Sequence, residues 1–280
     1  MFMSARWLAI GRLGIREVVL PLNRRMRLIA RTCDHFVGCR VYMDGHFGFN
    51  EFAKAIKTVR DAGFFDGEPP VFVDIGANIG THTLYALDSE AFSRTLSVEP
   101  SAENFEHLCR NLAINRLSTD DAVRAAFSSQ AGTGRLALSG LNFGDHRVIR
   151  DVDTHSGDPH LEEIELVDLS RLSEHAQLPR DARFMFWVDT QGHEYEVLCG
   201  IPETTLARST CVIEYWPSLL QKNGTLEALN DLIARVSSRI VILQTGREIQ
   251  ASELRDLATQ LRRKPGEEGQ LDLLMLGGSI

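Results

Sequence analysis

A glycine turn between an apolar strand and a helix is the feature of this 280-residue chain that most constrains its fold. The segment from Val71 to Gly80 reads Val-Phe-Val-Asp-Ile-Gly-Ala-Asn-Ile-Gly, and a helical pattern begins at Thr81. Glycine lets a ligand approach the backbone closely, and the first turn of a helix offers N–H groups without backbone partners. The pattern therefore predicts a ligand-binding turn at the carboxyl end of a buried strand.

Apolar strands and helical segments alternate along most of the remaining chain. This alternation predicts a mostly parallel sheet with helices on both faces and with ligands at the carboxyl ends of its strands. Residues 128–183 form a long, less regular insert, and such loops usually carry specificity on an α/β scaffold. The predicted strands are residues 71–73, 95–98, 122–127, 184–188, 210–214, 240–243 and 271–275, and the predicted helices begin near residues 81, 101, 193, 226 and 252.

One acid follows each of the first two strands, Asp74 before the glycine turn and Glu99 in Ser-Val-Glu-Pro. A carboxylate at the second position can accept both ribose hydroxyls of a cofactor that contains adenosine. A dinucleotide fingerprint would need glycine where Asn78 and Thr81 stand, so a nicotinamide oxidoreductase fits poorly. The pattern favours a ligand that contains adenosine but no phosphates.

This combination resembles the class I S-adenosylmethionine-dependent methyltransferases, and within them the FkbM family. Three segments carry the resemblance: Val73 to Thr83, Val98 to Phe105 with the trailing Asn-Leu-Ala-Ile-Asn, and Trp187 to Gly200. The third segment matches the family's strand, Asp, Gln-Gly, Glu and helix pattern. At Trp187 the family more often has a lysine, so any role of that lysine is absent or moved.

The resemblance implies a Rossmann-like fold over residues 70–280, with a seven-stranded sheet whose last strand is antiparallel. It also implies S-adenosyl-L-methionine as the cofactor and methyl transfer to a hydroxyl of a glycan or small natural product. The expected cofactor-binding residues are Asp74, Gly76, Ala77, Asn78, Gly80, Thr81, Glu99, Pro100 and Asp189.

A hydroxyl acceptor loses its proton during methyl transfer, which requires a general base within hydrogen-bond reach. The candidates are Asp189, His193, Glu194 and His146. Asp189 could instead cap the following helix, and Glu194 could only stabilise the first turn of that helix through its dipole. Methylation of a nucleobase is disfavoured, because residues 189–192 read Asp-Thr-Gln-Gly and not Asp/Asn-Pro-Pro-aromatic.

Residues 1–69 lie outside the resemblance and form a basic extension that we expect to be helical. Residues 1–40 hold eight arginines against two acids, whereas the whole chain has a net charge of −8, which argues against nucleic-acid binding. Apolar residues from Ile15 to Ile29 recur at helical spacing, with Pro21 expected to kink the helix. The helix would pack on the main domain or form a homo-oligomer contact; peripheral contact with a membrane surface is the alternative. A second helix is predicted over residues 50–62.

The remaining features point to a cytoplasmic protein without a metal. No apolar run reaches the length of a membrane span, and arginines interrupt any signal-peptide core, although an organelle transit peptide shares the basic composition. The histidines and acids of residues 145–160 match no metal-ligand spacing, and the run from Asp151 to His160 is interpreted as a solvated acidic loop. A non-catalytic cofactor-binding partner protein stays open as a rival function.

Overall fold

The computed structural model describes residues 4–23, 25–139, 144–149, 161–263 and 269–277. In the described part of the chain, five elements precede the strand that leads into the glycine turn, and two of them pair as an antiparallel hairpin. They are α1 (Ala5–Arg12), β1 (Glu17–Pro21), β2 (Arg27–Arg31), α2 (Val37–Asp44) and α3 (Phe49–Asp61). Helix α3 confirms the prediction over residues 50–62.

The helix predicted from Ile15 to Ile29 is wrong, because β1 and β2 occupy that segment. The two strands pair antiparallel, with Leu20 opposite Leu28 and Val18 opposite Ala30. Strand β2 buries four consecutive residues, Leu28 to Arg31, so the pairing of the backbones and not an alternation of burial marks the segment as strand. The Asn23 side chain accepts hydrogen bonds from the N–H groups of Arg25 and Met26, which closes the turn.

The main sheet has eight strands in the order β13-β12-β14-β11-β10-β3-β4-β5, and a second, four-stranded sheet has the order β6-β9-β7-β8. Their elements and the surrounding helices are β3 (Val71–Ile75), α4 (Thr81–Ser89), β4 (Arg94–Val98), α5 (Ala102–Ile114), β5 (Ala122–Val123), β6 (Ala126–Phe127), β7 (Gly132–Ala137), β8 (Arg147–Ile149), β9 (Leu161–Val167), α6 (Leu169–Ala176), β10 (Phe184–Val188), α7 (Glu194–Cys199), α8 (Glu203–Leu206), β11 (Thr210–Tyr215), α9 (Pro217–Lys222), α10 (Leu226–Val236), β12 (Arg239–Ile242), β13 (Arg247–Gln250), α11 (Leu254–Leu261) and β14 (Leu271–Leu276).

Strands β5, β4, β3, β10 and β11 are parallel, and β14 lies antiparallel between β11 and β12. The predicted Rossmann-like sheet with an antiparallel last strand is therefore confirmed. The sheet has eight strands and not seven, because β13 adds an edge strand to β12. Its sequence, Arg-Glu-Ile-Gln, has a single apolar residue, Ile249, which gives no periodic signal.

Residues 122–127 divide between the two sheets where one strand was predicted. Ala122 and Val123 pair with β4, whereas Ala126 and Phe127 pair with β9. The insert that follows is therefore built on a sheet of its own, and part of that sheet borders the site described below.

Hydrophobic clusters cover both faces of the main sheet. Residues before Pro70 contribute to one of them: Trp7, Leu28 and Phe52 pack in the same cluster as Phe72 and Leu84. The basic extension therefore shares its core with the glycine-turn half of the sheet. Among the described residues, no helix is long and apolar enough to cross a membrane.

Candidate active site

A cavity of about 400 Å³ opens at the carboxyl ends of β3, β4, β10 and β11. This is the location that the parallel alternation predicted for a ligand. Most of the predicted cofactor residues line it, namely Gly76, Ala77, Asn78, Thr81, Glu99, Pro100 and Asp189. Asp74 and Gly80 do not line it.

The turn after β3 is closely packed against its neighbours. Gly76 has a φ of +83°, and a Cβ at this position would lie 2.0 Å from the carbonyl oxygen of Asp189. The N–H groups of Gly76 and Ala77 donate to the carbonyl of Val98 at the end of β4, at 2.9 and 3.1 Å. Glycine is therefore required for both its conformation and its lack of a side chain.

Asp74 lies behind this turn and away from the cavity. Its carboxylate is 1% exposed and accepts a 2.6 Å hydrogen bond from the hydroxyl of Thr83. Burial raises the pKa of Asp74 to about 7, against the opposing effect of the Thr83 hydrogen bonds. Gly80 is also behind the turn, where a Cβ would lie 2.6 Å from Leu108. Both residues border the turn, and neither lines the cavity.

Glu99 presents a carboxylate that the backbone holds in place. One oxygen accepts the N–H of Asn78 at 2.8 Å, and the other accepts the N–H of Ser101 at 2.9 Å. Burial raises the pKa of Glu99 to about 7, and these two hydrogen bonds oppose the rise. A carboxylate has about four acceptor positions, so with the Asn104 side chain also bonded to Glu99, about one remains for a ligand hydroxyl.

The amino-terminal hairpin reaches this part of the site through Arg31, a connection that sequence reasoning missed. The guanidinium is 6% exposed and forms 2.5 Å contacts with the Asn104 side-chain oxygen and the Glu103 carboxylate. Asn104 lines the cavity and also hydrogen-bonds Glu99. The arginine excess of residues 1–40 was the available signal, but only the folded hairpin shows which arginine is used.

A second carboxyl group stands beside Asp189 at the opposite end of the cavity. The Gln191 side-chain amide donates to Asp189 at 2.7 Å and to Glu214, at the end of β11, at 2.8 Å. The two carboxyl groups also lie within hydrogen-bond distance of each other, and burial raises the pKa of both. Sequence reasoning placed Glu214 in a strand but not in the site.

The other candidates for the base occupy distinct environments. Helix α7 is capped by His193, so Asp189 is not its N-cap residue. Glu194 is 1% exposed and accepts hydrogen bonds from Thr190 and Gly192, so it holds the loop after β10 and does not line the cavity. His193 lines the cavity, with its Nε2 at 3.0 Å from the Ser128 hydroxyl.

His146 lines the cavity from the insert. Its Nδ1 accepts the N–H of Ser139 at 3.0 Å, and burial lowers the pKa of the ring. Because a lowered pKa keeps the imidazole neutral and Nδ1 accepts a hydrogen bond, the ring proton lies on Nε2, so in this tautomer Nε2 is a donor and not a proton acceptor. The structure thus brings three of the four predicted bases to the cavity wall, and Glu194 stays behind it.

Aromatic and basic side chains complete the wall near the carboxyl pair. Trp216 follows β11, and the Arg147 guanidinium lies 5.8 Å from its ring. Phe47 and Arg40 approach from the amino-terminal segment. Trp187, where the family more often has a lysine, is buried and stacks on His82 with ring centroids 4.3 Å apart, so it belongs to the core.

Within the described ranges, no three histidine, cysteine or acidic side chains are placed to hold a metal ion. The acidic run from Asp151 to His160, interpreted above as a solvated loop, lies outside the described residues.

The cavity at the strand ends and the antiparallel strand β14 define the class of the protein, which is that of the Rossmann-like methyltransferases. The profile of the methyltransferase FkbM domain matches residues 74–233, more than half of the chain. The chain belongs to the FkbM methyltransferase family. This confirms the resemblance carried by the three sequence segments and decides against the nicotinamide oxidoreductase.

Individual relatives are more distant or match over less of the chain. Methyltransferase sdnD of Sordaria araneosa is 42% identical over 65 residues, which cover 23% of this chain and 25% of that protein. The precorrin-6y C5,15-methyltransferase of Geobacter metallireducens has a TM-score of 0.35 at 10% identity, over 80% of this chain and 85% of that one. The geranyl diphosphate C-methyltransferase of Streptomyces coelicolor has a TM-score of 0.37 at 13% identity, over 98% and 95%.

Proposed function

We propose that this protein transfers the methyl group of S-adenosylmethionine to a hydroxyl of a carbohydrate or small natural product. The observation that carries the proposal is the shared cavity, in which the glycine turn and Glu99 face the same space as Asp189. A cofactor held at the first end would present its methyl group toward an acceptor at the second.

The residues at the first end fit this cofactor. Glu99 would accept a ribose hydroxyl, and the turn from Gly76 to Thr81 would hold the methionine portion. The side-chain oxygen of Asn78 is buried and has no hydrogen-bond partner among the described residues, so it is an available acceptor for a ligand donor. When bound, S-adenosylmethionine supplies a methyl group activated by a positively charged sulfur.

The carboxyl groups at the second end favour a hydroxyl acceptor. A hydroxyl becomes a good nucleophile as its proton leaves, and a buried carboxylate with a raised pKa is suited to take that proton. Asp189 is half-buried and lines the cavity, whereas Glu194 is occupied by the loop it holds. Asp189 is therefore the favoured base among the four candidates.

The surrounding wall fits a ring that carries several hydroxyls. Trp216 and Phe47 offer aromatic surface, and Arg40 offers hydrogen-bond donors at the same cavity. Apolar faces with convergent polar groups are typical of sites for small molecules. A carbohydrate or a hydroxylated natural product presents both kinds of surface.

The test is a two-stage assay on the intact protein. Calorimetry with S-adenosylhomocysteine is expected to show saturable binding at one site. Incubation with isotopically labelled S-adenosylmethionine and panels of hydroxyl, amine and carbon acceptors, followed by mass spectrometry, is expected to give O-methyl products. Absence of binding would contradict the cofactor, binding without any product would favour the non-catalytic partner protein, and N- or C-methyl products alone would contradict the acceptor.

A further inference from the structure

We propose that Glu214 and Asp189 act together as one two-carboxyl base, which takes the proton of the acceptor hydroxyl. This inference rests on the function proposed above and adds a catalytic residue to it. The sequence gives Glu214 no motif of its own, because it is the penultimate residue of an ordinary apolar strand, Thr-Cys-Val-Ile-Glu-Tyr.

Strand register places the two carboxyl groups side by side. Val188 of β10 pairs with Ile213 of the parallel strand β11, so the next residue of each strand is Asp189 and Glu214. Both side chains line the cavity, and their carboxyl groups are close enough to share one hydrogen bond when one of them carries a proton. Their positions are fixed by two elements of the sheet and not by a mobile loop.

Gln191 holds the pair from one side. It adopts a left-handed backbone conformation, with a φ of 52°, and its amide nitrogen reaches both carboxyl groups at 2.7 and 2.8 Å. An amide NH₂ has two hydrogens, so it donates one to each carboxyl group. Gln191 therefore holds the two carboxyl groups next to each other.

The surroundings favour retention of one proton by the pair. Asp145, Glu194 and Asp272 add negative charge around it. The other charged or titratable side chains that line the cavity include Arg40, His82, His146 and His193. Asp145, which also lines it, is paired with Arg147. Two adjacent carboxyl groups in a buried site titrate in two steps, and the second proton to leave has a raised pKa. Once ionised, the pair is a stronger base than an isolated carboxylate.

The proposed reaction couples methyl transfer to the loss of the acceptor proton. The acceptor oxygen forms a bond to the methyl carbon while the carbon–sulfur bond breaks and its electron pair returns to sulfur. The hydroxyl proton moves to the ionised pair, where Asp189 and Glu214 share it. The products are the methyl ether, neutral S-adenosylhomocysteine and a singly protonated pair, which later releases its proton to water.

The test compares single-turnover rates as a function of pH for the wild type, Glu214→Gln, Asp189→Asn and the double variant, with a hydroxyl acceptor. Because the ionised pair is the base, the wild-type rate rises as the pH rises through the raised pKa. In Glu214→Gln the rise is expected at lower pH, and the limiting rate falls about tenfold or more. The double variant is expected to be no slower than Asp189→Asn, because the two residues act as a unit.

Asp272→Asn is the matched control, since Asp272 pairs with Glu214 across β11 and β14 and does not line the cavity. It removes a neighbouring charge, so a small shift of the profile to lower pH with an unchanged limiting rate is expected. An unchanged rate and profile in Glu214→Gln, or a loss confined to cofactor affinity, would overturn the inference. Failure of the proposed function is distinct, because then the wild type itself forms no O-methyl product.

Discussion

The two ends of the cavity hold their carboxyl groups in different ways. At one end, Glu99 is bound by two backbone N–H groups, which favour its charged form. At the other, Asp189 lies against a second carboxyl group, Glu214, which favours a shared proton. Backbone donors fix a carboxylate for binding, whereas a neighbouring acid prepares it to exchange a proton. Under the proposed function, the first end would bind the cofactor and the second would take the proton of the acceptor.

The largest effect that would separate the two ends is expected from Asp189→Asn. Removal of a general base typically lowers turnover about 10²–10⁴-fold. The affinity for S-adenosylhomocysteine is expected to stay within about threefold of the wild type, because the lost charge is at the acceptor end. Single-turnover kinetics beside calorimetry measure both quantities. The control is Glu163→Gln, which changes an exposed acid of β9. A normal rate in Asp189→Asn would show that Asp189 does not accept the proton.

The reciprocal change at the first end is Glu99→Ala. Loss of hydrogen bonds to a charged group costs about 1.5–3 kcal/mol, so S-adenosylhomocysteine is expected to bind about 10- to 150-fold more weakly. Melting temperatures accompany the calorimetry, since the mutation also leaves the N–H groups of Asn78 and Ser101 without their acceptor. Unchanged affinity in the folded variant would exclude Glu99 from the ribose site.

The variant Gly76→Ala tests the contact between the two ends of the cavity. Because Gly76 has no side chain, the turn after β3 can pack against the backbone of Asp189. Gly67→Ala is a matched control, with a φ of +90° and no atom within 4 Å of the added Cβ. The control is expected to lower the free energy of unfolding by about 1–2 kcal/mol through its conformation alone. Gly76→Ala is expected to cost about 1–3 kcal/mol more through the clash. Equal losses in chemical denaturation would contradict this close packing.

The smallest effect is expected from Arg31→Ala, which acts on Glu99 through Asn104. Loss of one hydrogen bond of this kind costs about 0.5–1.5 kcal/mol, so cofactor affinity is expected to fall about 2- to 12-fold. Arg25→Ala, which removes an ion pair that is 69% and 80% exposed, is expected to change it little. If the two variants bind S-adenosylhomocysteine equally well, the hairpin does not support the first end.

The strands and helices that were predicted correctly are those that depend only on the local pattern of apolar residues. The strand Phe184–Val188 was predicted with the observed bounds because all five of its residues are apolar, and the helix that begins at Leu226 was predicted from its apolar periodicity. The helix predicted from Ile15 to Ile29 failed since its apolar residues satisfy both periods, and the antiparallel pairing of β1 with β2 decides for strands. A short apolar segment does not encode which period its core will use.

The site was less predictable because it depends on which strands are neighbours. Glu214 is 25 positions beyond Asp189, and only the pairing of β10 with β11 brings the two together. Asp74 was expected to contact the ligand; its carboxyl group accepts a hydrogen bond from the Thr83 hydroxyl and does not line the cavity. A motif fixes the position of a residue at a strand end, whereas strand register fixes the direction of its side chain.

The most direct test of this account is a calorimetric titration of S-adenosylhomocysteine into the wild type, Glu99→Ala and Asp189→Asn under one set of conditions. The titration needs no acceptor, and the affinities alone show which end of the cavity binds the cofactor. We predict saturable binding of S-adenosylhomocysteine to the wild type. The affinity is expected to fall about 10- to 150-fold in Glu99→Ala and to change by no more than about threefold in Asp189→Asn. Equal losses in the two variants, or no binding to the wild type, would contradict this prediction.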